Sequence, residues 1–153
     1  MKNTDQKYIE EIFSRYPNKR AATLPLLTLA QERFGYISKE ACVWVAELIG
    51  VSPMEVHETA SFYTLYYLEP VGKNKIKLCT NVSCMLLGAK KIEKTLKRKL
   101  GLKKKGTTED KKFHFETAEC LGYCDKAPVM QINTETFEKI SDEKVDEILK
   151  KYE

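Results

Sequence analysis

Four of the five cysteines fall in two close pairs, Cys79 with Cys84 and Cys120 with Cys124. The pattern is C-x4-C, 35 intervening residues, then C-x3-C. Four thiolates brought together from two loops can hold one metal centre. Structural zinc usually uses the tight C-x2-C spacing in at least one knuckle, to wrap a single tetrahedral ion. Neither pair here has it. A [2Fe–2S] rhomb is longer, because each of its two irons takes two thiolates, and wider spacings suit it. The spacing therefore favours an iron–sulfur centre and leaves a four-cysteine zinc module as the alternative. Thiol–disulfide exchange on the same residues would call for C-x-x-C, which neither pair supplies. A free thiol titrates near ~8.5, so metal binding itself must hold these groups as thiolates.

Such loops need elements to carry them, and the hydrophobic period changes once along the chain. In residues 8–16 the apolar side chains Tyr8, Ile9, Ile12, Phe13 and Tyr16 recur at helical spacing, and Pro17 ends the run. A second helix is expected from Thr23 as N-cap, with Pro25 in its first turn and Gly35 as its stop. A third follows Ser38 and closes at Gly50. The fourth opens on Ser52-Pro53-Met54-Glu55, a capping box with Pro at the first helical position, and runs towards Tyr67. Four short helices make a small bundle. Residues 70–74, Pro-Val-Gly-Lys-Asn, read as a turn or linker.

After Gly72 the pattern alternates. Lys75-Ile76-Lys77-Leu78 reads as a strand delivering Cys79 at its end, followed by a loop to Cys84 and a helix over 85–100 that stops at Gly101. Residues 103–112 form a charged connection. A second strand over 113–117 leads to the Cys120 loop. Strands over 128–132 and 137–140 flank a hairpin connection at 133–136. Ser141 is expected to cap a last helix bearing Val145, Ile148 and Leu149 as its apolar stripe. The class is α/β, a sheet layer with helices against it.

Composition narrows the function classes. Of 153 residues, 42% are hydrophobic and 31% charged, an ordinary balance for a packed core. No apolar run is long enough for a transmembrane helix, and no apolar h-region follows Met1-Lys2-Asn3, so neither membrane insertion nor a signal peptide is expected. Metal-bound thiolates fit a reducing compartment, so the expected location is cytoplasmic. Much of the +4 net charge sits in residues 90–112, without the interleaved aromatics that nucleic-acid binding wants. That tract reads as a solvated face, with steering of an acidic partner as the functional alternative. No Walker loop, G-x-G-x-x-G or Ser-His-Asp set is present, so no NADH or flavin site is expected on this chain.

Three segments resemble one family. They are Thr59-Ala60-Ser61-Phe62-Tyr63-Thr64-Leu65-Tyr66, then Leu78-Cys79-Thr80-Asn81-Val82-Ser83-Cys84-Met85-Leu86-Leu87-Gly88, then Glu119-Cys120-Leu121-Gly122-Tyr123-Cys124-Asp125-Lys126-Ala127-Pro128-Val129-Met130-Gln131-Ile132-Asn133. They look like the thioredoxin-like [2Fe–2S] subunit of NADH:quinone oxidoreductase, the E subunit of bacterial complex I. The resemblance spans nearly the whole chain. It implies a helical bundle over 1–70 and a thioredoxin-like [2Fe–2S] ferredoxin domain over 71–153. It implies one [2Fe–2S] cluster held by Cys79, Cys84, Cys120 and Cys124, exchanging single electrons with the FMN of an adjacent flavoprotein that also binds NADH. The complex would lie against the inner face of the membrane. Related subunits of NAD-linked hydrogenases and formate dehydrogenases leave the parent complex open.

Two departures stand out. Relatives often have Asp-Gly before the second strand, where this chain has Asp110-Lys111-Lys112, a less comfortable tight turn. The residue before the last cysteine is often small, and here it is Tyr123. Backbone N–H groups of Asn81, Val82, Ser83, Leu121 and Gly122 are candidates to point at the sulfurs, with Gly122 letting the chain pass close. Lys126 reads as a surface lysine, or, if turned inward, as a charge raising the cluster's potential. Cys42 reads as a small buried hydrophobe. His57 and His114 read as structural or exposed. Tyr63, Tyr66 and Tyr67 read as core, or else as partner surface. Ala127-Pro128 stands where thioredoxin-like folds carry a cis-proline.

Overall fold

The computed structural model describes residues 3–152, with side chains from residue 6 onward. The chain divides into two compact units between Pro70 and Val71. The first holds four helices, α1 (Asn3–Ser14), α2 (Thr23–Phe34), α3 (Lys39–Ile49) and α4 (Pro53–Phe62). Leu26, Leu27, Val45 and Val56 are fully enclosed in its core, with Ile9, Ile12, Cys42 and Tyr66 around them. Cys42 is thus a core residue, and burial pushes its thiol up. Gly35 and Gly50 end α2 and α3 in the left-handed region (φ 82° and 77°), as stops of that kind require. The capping box is formed: Ser52 Oγ accepts from the Glu55 N–H at 3.2 Å, and Glu55 Oε1 accepts from the Ser52 N–H.

The first unit departs from expectation at two points. Thr23 is not an N-cap: it has helical backbone angles, and its hydroxyl donates back to the Arg20 carbonyl. A 3₁₀ turn at Lys19–Ala22, capped by Asn18, leads straight into α2 and removes the need for that cap. α4 stops at Phe62, short of Tyr67, because Tyr63 turns to extended angles. This lets Tyr66 fold back, buried, to donate its hydroxyl to the Leu24 carbonyl at 2.8 Å. Tyr67 is buried as well, while Tyr63 is partly exposed.

The second unit is a five-stranded sheet in the order β2-β3-β1-β4-β5, built from β1 (Asn74–Cys79), β2 (Gly106–Thr107), β3 (Phe113–Ala118), β4 (Met130–Ile132) and β5 (Glu135–Phe137). β1 and β3 are parallel, pairing Asn74 with Phe113 at one end and Cys79 with Ala118 at the other. β4 lies antiparallel to β1, and β5 to β4. Ile76 and Leu78 of β1, Phe115 of β3 and Met130 and Ile132 of β4 are buried in one core cluster. Ile92 and Leu96 of α6 (Ala89–Lys99) and Val145 of α7 (Lys144–Lys150) pack with them. At Gly72 the backbone runs so close to β3 that a Cβ would lie 2.3 Å from the Phe113 carbonyl carbon.

Here too the local reading is adjusted. The helix expected over 85–100 is two helices, α5 (Val82–Leu86) and α6, separated at Gly88 with φ 102°. The charged connection contains β2. The turn at Lys111 is made without glycine: Lys111 takes φ 56°, and the Asp110 carboxylate accepts from the Lys112 N–H at 3.0 Å and the Thr108 hydroxyl at 2.6 Å. The hairpin is tighter than expected, with only Asn133 and Thr134 between β4 and β5, and Asn133 at φ 54°. Ser141 does not cap α7, whose N-cap position is Glu143 without a side-chain cap bond. No helix among the described residues is long and apolar enough to cross a membrane.

Candidate metal centre

β1 and β3 run in parallel, so their C-terminal ends meet at one edge of the sheet, and both cysteine loops begin there. Cys79 is the last residue of β1. Its N–H donates to the Val129 carbonyl at 3.1 Å, and the next N–H, of Thr80, donates to Ala118 at 2.9 Å. Asn81 then caps α5, accepting the Val82 N–H at 2.6 Å, and one turn later Cys84 points inward. Cys79 and Cys84 are buried with Ala89, Ala127 and Leu121 around them.

The second loop leaves β3 after Ala118. Cys120 and Cys124 are exposed, with their sulfurs 3.9 Å apart. Gly122, in the left-handed region at φ 84°, turns its N–H onto Cys120 Sγ at 3.3 Å. Cys124 begins a 3₁₀ turn, Cys124–Lys126, and the Ala127-Pro128 peptide bond after it is cis.

The two loops touch each other's sulfurs. Burial pushes the Cys79 thiol up. It is outweighed by the Asn81 N–H, the Cys84 thiol, the Leu121 N–H and the Cys120 thiol, which leave Cys79 below its ordinary range. Burial, reinforced by the Cys79 thiol, pushes Cys84 up to about 11. Cys124 is raised by its contact with Cys120. A group that readily holds one thiolate but resists four needs a cation to bring all of them to the charged form.

Among the described residues no group of three or more His, Cys, Asp or Glu is drawn together tightly enough to wrap one metal ion. Cys79 contacts both Cys84 and Cys120, and Cys120 lies beside Cys124, so the sulfurs run from one loop to the other. An extended, all-sulfur donor set suits a binuclear iron–sulfur centre, with two thiolates per iron, better than one tetrahedral ion. The residues present therefore fit a [2Fe–2S] group.

Of the N–H donors expected, Asn81, Leu121 and Gly122 reach sulfur, whereas Val82 donates to Asn81 Oδ1 instead. The Val129 N–H also directs itself at Cys84, a contact that no motif in the sequence signals. It lies across the sheet, and no spacing in the sequence joins it to the C-x4-C loop. Lys126 is not turned inward. It pairs with Glu138 at 2.9 Å on the surface, which raises its own pKa. His57 is exposed, and His114 lies within hydrogen-bond reach of the Thr107 hydroxyl at 2.9 Å. Neither is brought to the cysteines. Around the loops an apolar ridge stays exposed, with Val82 at 65%, Leu86 at 82% and Leu87 at 61%, and Met85 and Tyr123 less so.

Known proteins share both the sequence and the fold. The NADH-quinone oxidoreductase E subunit of Rickettsia bellii (strain RML369-C) is 44% identical over 145 residues, covering 93% of this chain and 87% of that protein. The NADH-quinone oxidoreductase E subunit numbered 2 of Rhizobium meliloti (strain 1021) is 38% identical over 149 residues, covering 97% and 89%. Among solved structures, an NAD+-reducing [NiFe]-hydrogenase in the air-oxidized state matches with a TM-score of 0.74 at 20% identity. That match covers 83% of this chain but only 22% of the hydrogenase chain, so it speaks for the fold alone. A family model described as thioredoxin-like [2Fe–2S] ferredoxin matches residues 9–153, both cysteine loops included, and the chain belongs to that family.

Proposed function

We propose that this chain is the [2Fe–2S] electron-transfer subunit of an NADH dehydrogenase complex, the counterpart of its relatives' E subunits, and that Cys79, Cys84, Cys120 and Cys124 hold its single cluster. When bound, such a cluster supplies one-electron chemistry. The observation carrying the reading is the meeting of four thiols, as two pairs, at the C-terminal ends of two parallel strands in a chain of this family.

The residues divide the remaining work. Ala89, Ala127 and Leu121 keep water from Cys79 and Cys84. The N–H groups of Asn81, Leu121, Gly122 and Val129 direct positive dipole ends at sulfur, which stabilises added negative charge on the centre. Cys120 and Cys124 present the outer edge of the site. The ridge of Val82, Leu86 and Leu87 beside it is an apolar surface of the kind a protein neighbour covers.

In this reading the neighbour is the flavoprotein that carries FMN and NADH, and single electrons pass between its flavin and this chain. The domain from residue 71 holds the cluster, and residues 1–70 form a separate helical domain. The complex lies on the cytoplasmic face of the membrane, peripheral to it. The curated relatives, at 38–44% identity, support the quinone-linked complex over the hydrogenase, whose likeness is of fold.

Anaerobic reconstitution with iron and sulfide tests the reading. The expected product is coloured, with sulfide-to-iron charge-transfer bands and about two irons and two acid-labile sulfides per chain. A colourless chain that takes up one zinc and no sulfide overturns it in favour of the structural module.

A further inference from the structure

One open concavity lies away from the cysteines. β1 and β3 both start at the Asn74–Phe113 end and finish at the Cys79–Ala118 end, about 17 Å further on at the usual strand rise. At the starting end, the connection after α6 and the edge strand β2 enclose an open groove of about 1100 Å³. Lys103, Lys104, Lys105 and Lys112 stand around it, and Leu102 and Leu149 contribute apolar surface to its floor.

The Lys103–Lys105 run lacks the ion pairs that the neighbouring helix makes. On α6, Lys91 pairs with Asp142 at 3.3 Å, Lys97 with Glu93 at 2.7 Å and Lys99 with Asp146 at 2.5 Å. On the loop, Asp110 is occupied by the Thr108 hydroxyl and the Lys112 N–H, which hold its carboxyl below the usual range. Among the described residues, no carboxylate, Glu109 included, forms an ion pair with the Lys103, Lys104 or Lys105 ammonium groups, whereas the Lys112 charge acts on the Asp110 carboxylate.

Lysines beside an edge strand also guard it against aggregation, a role that needs neither a groove nor an apolar floor. We infer that this groove is a docking site for an acidic, extended segment of another polypeptide, carrying aliphatic side chains between its carboxylates. The carboxylates would meet the loop lysines and the aliphatic groups the Leu102–Leu149 floor. β2 pairs only with β3, so its outer edge is placed to align such a segment as an added strand. Single-stranded nucleic acid fits less well, since it wants exposed aromatic platforms and the groove's one aromatic, Phe113, is 6% exposed. A lipid surface fits less well because the site is concave.

Fluorescence anisotropy on the full chain tests this with a labelled peptide of alternating Glu and Leu. A Gln/Leu peptide, oligo-dT and phosphatidylglycerol vesicles serve as competitors. The Glu/Leu peptide should bind with an affinity that falls as salt rises. The K103E/K104E/K105E variant should bind at least about tenfold more weakly. The K90E/K94E variant, reversed on the exposed face of α6 outside the groove, should bind as the parent does. Equal affinity for all three proteins overturns the proposal, as does equal weakening by both variants, which would signify non-specific attraction. Tighter binding of oligo-dT or vesicles than of the peptide overturns it too. Should the triple reversal unfold the chain, the K103Q/K104Q/K105Q variant must still show weakened binding, and unchanged affinity there overturns the proposal.

Discussion

The first cysteine loop is anchored in the core and the second is draped over its edge, although both start from adjacent parallel strands. Cys79 still belongs to β1 and Cys84 sits on a capped helical turn, and both are buried. Cys120 and Cys124 follow β3 in an exposed loop, shaped by one left-handed glycine and a short 3₁₀ turn. One half of the candidate site is thus built into the core, and the other is carried by an exposed loop. Substitutions in the two halves should have different consequences for the metal-free chain and the same consequence for cluster content.

The sharpest contrast lies between the strand and the loop that grows from it. Phe115→Ala removes a fully buried ring from β3 and should cost about 3–5 kcal/mol in urea denaturation. Leu121→Ala, partly exposed in the loop itself, should cost less than about 1 kcal/mol. Equal losses would mean that the second loop is as much core as the strand it grows from. Next comes the cysteine pair test. In the metal-free chain, Cys84→Ser leaves a hydroxyl in an apolar setting and should cost about 1–3 kcal/mol. Cys124→Ser should leave the denaturation midpoint where it was. Both variants should fail to develop visible absorption on reconstitution, and colour in either would remove that residue from the ligand set.

A smaller effect is expected at Gly122. An alanine there must adopt φ 84°, costing about 1 kcal/mol, and any relief of that strain swings the N–H off Cys120. Reconstituted Gly122→Ala protein should therefore bleach faster in air than the parent, measured as loss of visible absorbance. Smallest of all is Lys126→Ala. The side chain is ion-paired with Glu138 on the surface, so cluster content and potential should match the parent. A shifted potential in protein film voltammetry would show that the lysine acts on the centre after all.

Much of this arrangement could be read in advance, and where reading stopped follows a pattern. The change of period at Gly72, the capping box at Ser52 and the glycine stops at 35 and 50 are local signals, carried by a few neighbouring residues, and the structure contains them. Thr23 and Ser141 are also good caps by type, yet each is bypassed because the backbone around it already turns into the helix without its side chain. Gly88 looks like a tolerable glycine within one long helix. The chain breaks there, so that α5 holds Cys84 inward while α6 lies along the sheet. β2 and the tight Asn133-Thr134 turn depend on partners across the sheet, and no window of sequence includes those partners.

Residue types and spacing alone determined that four thiols come as two pairs, that strands lead into both cysteine segments, and which chemistry such donors suit. Those properties are local, set by neighbours along the chain. Only the tertiary structure decided that one pair is buried and the other open, that the Val129 N–H faces Cys84, and that the loop lysines surround a groove at the far end of the sheet. Burial and cross-strand contact depend on which distant segments β3 and β4 bring to either side of β1, and spacing along a chain carries no record of that.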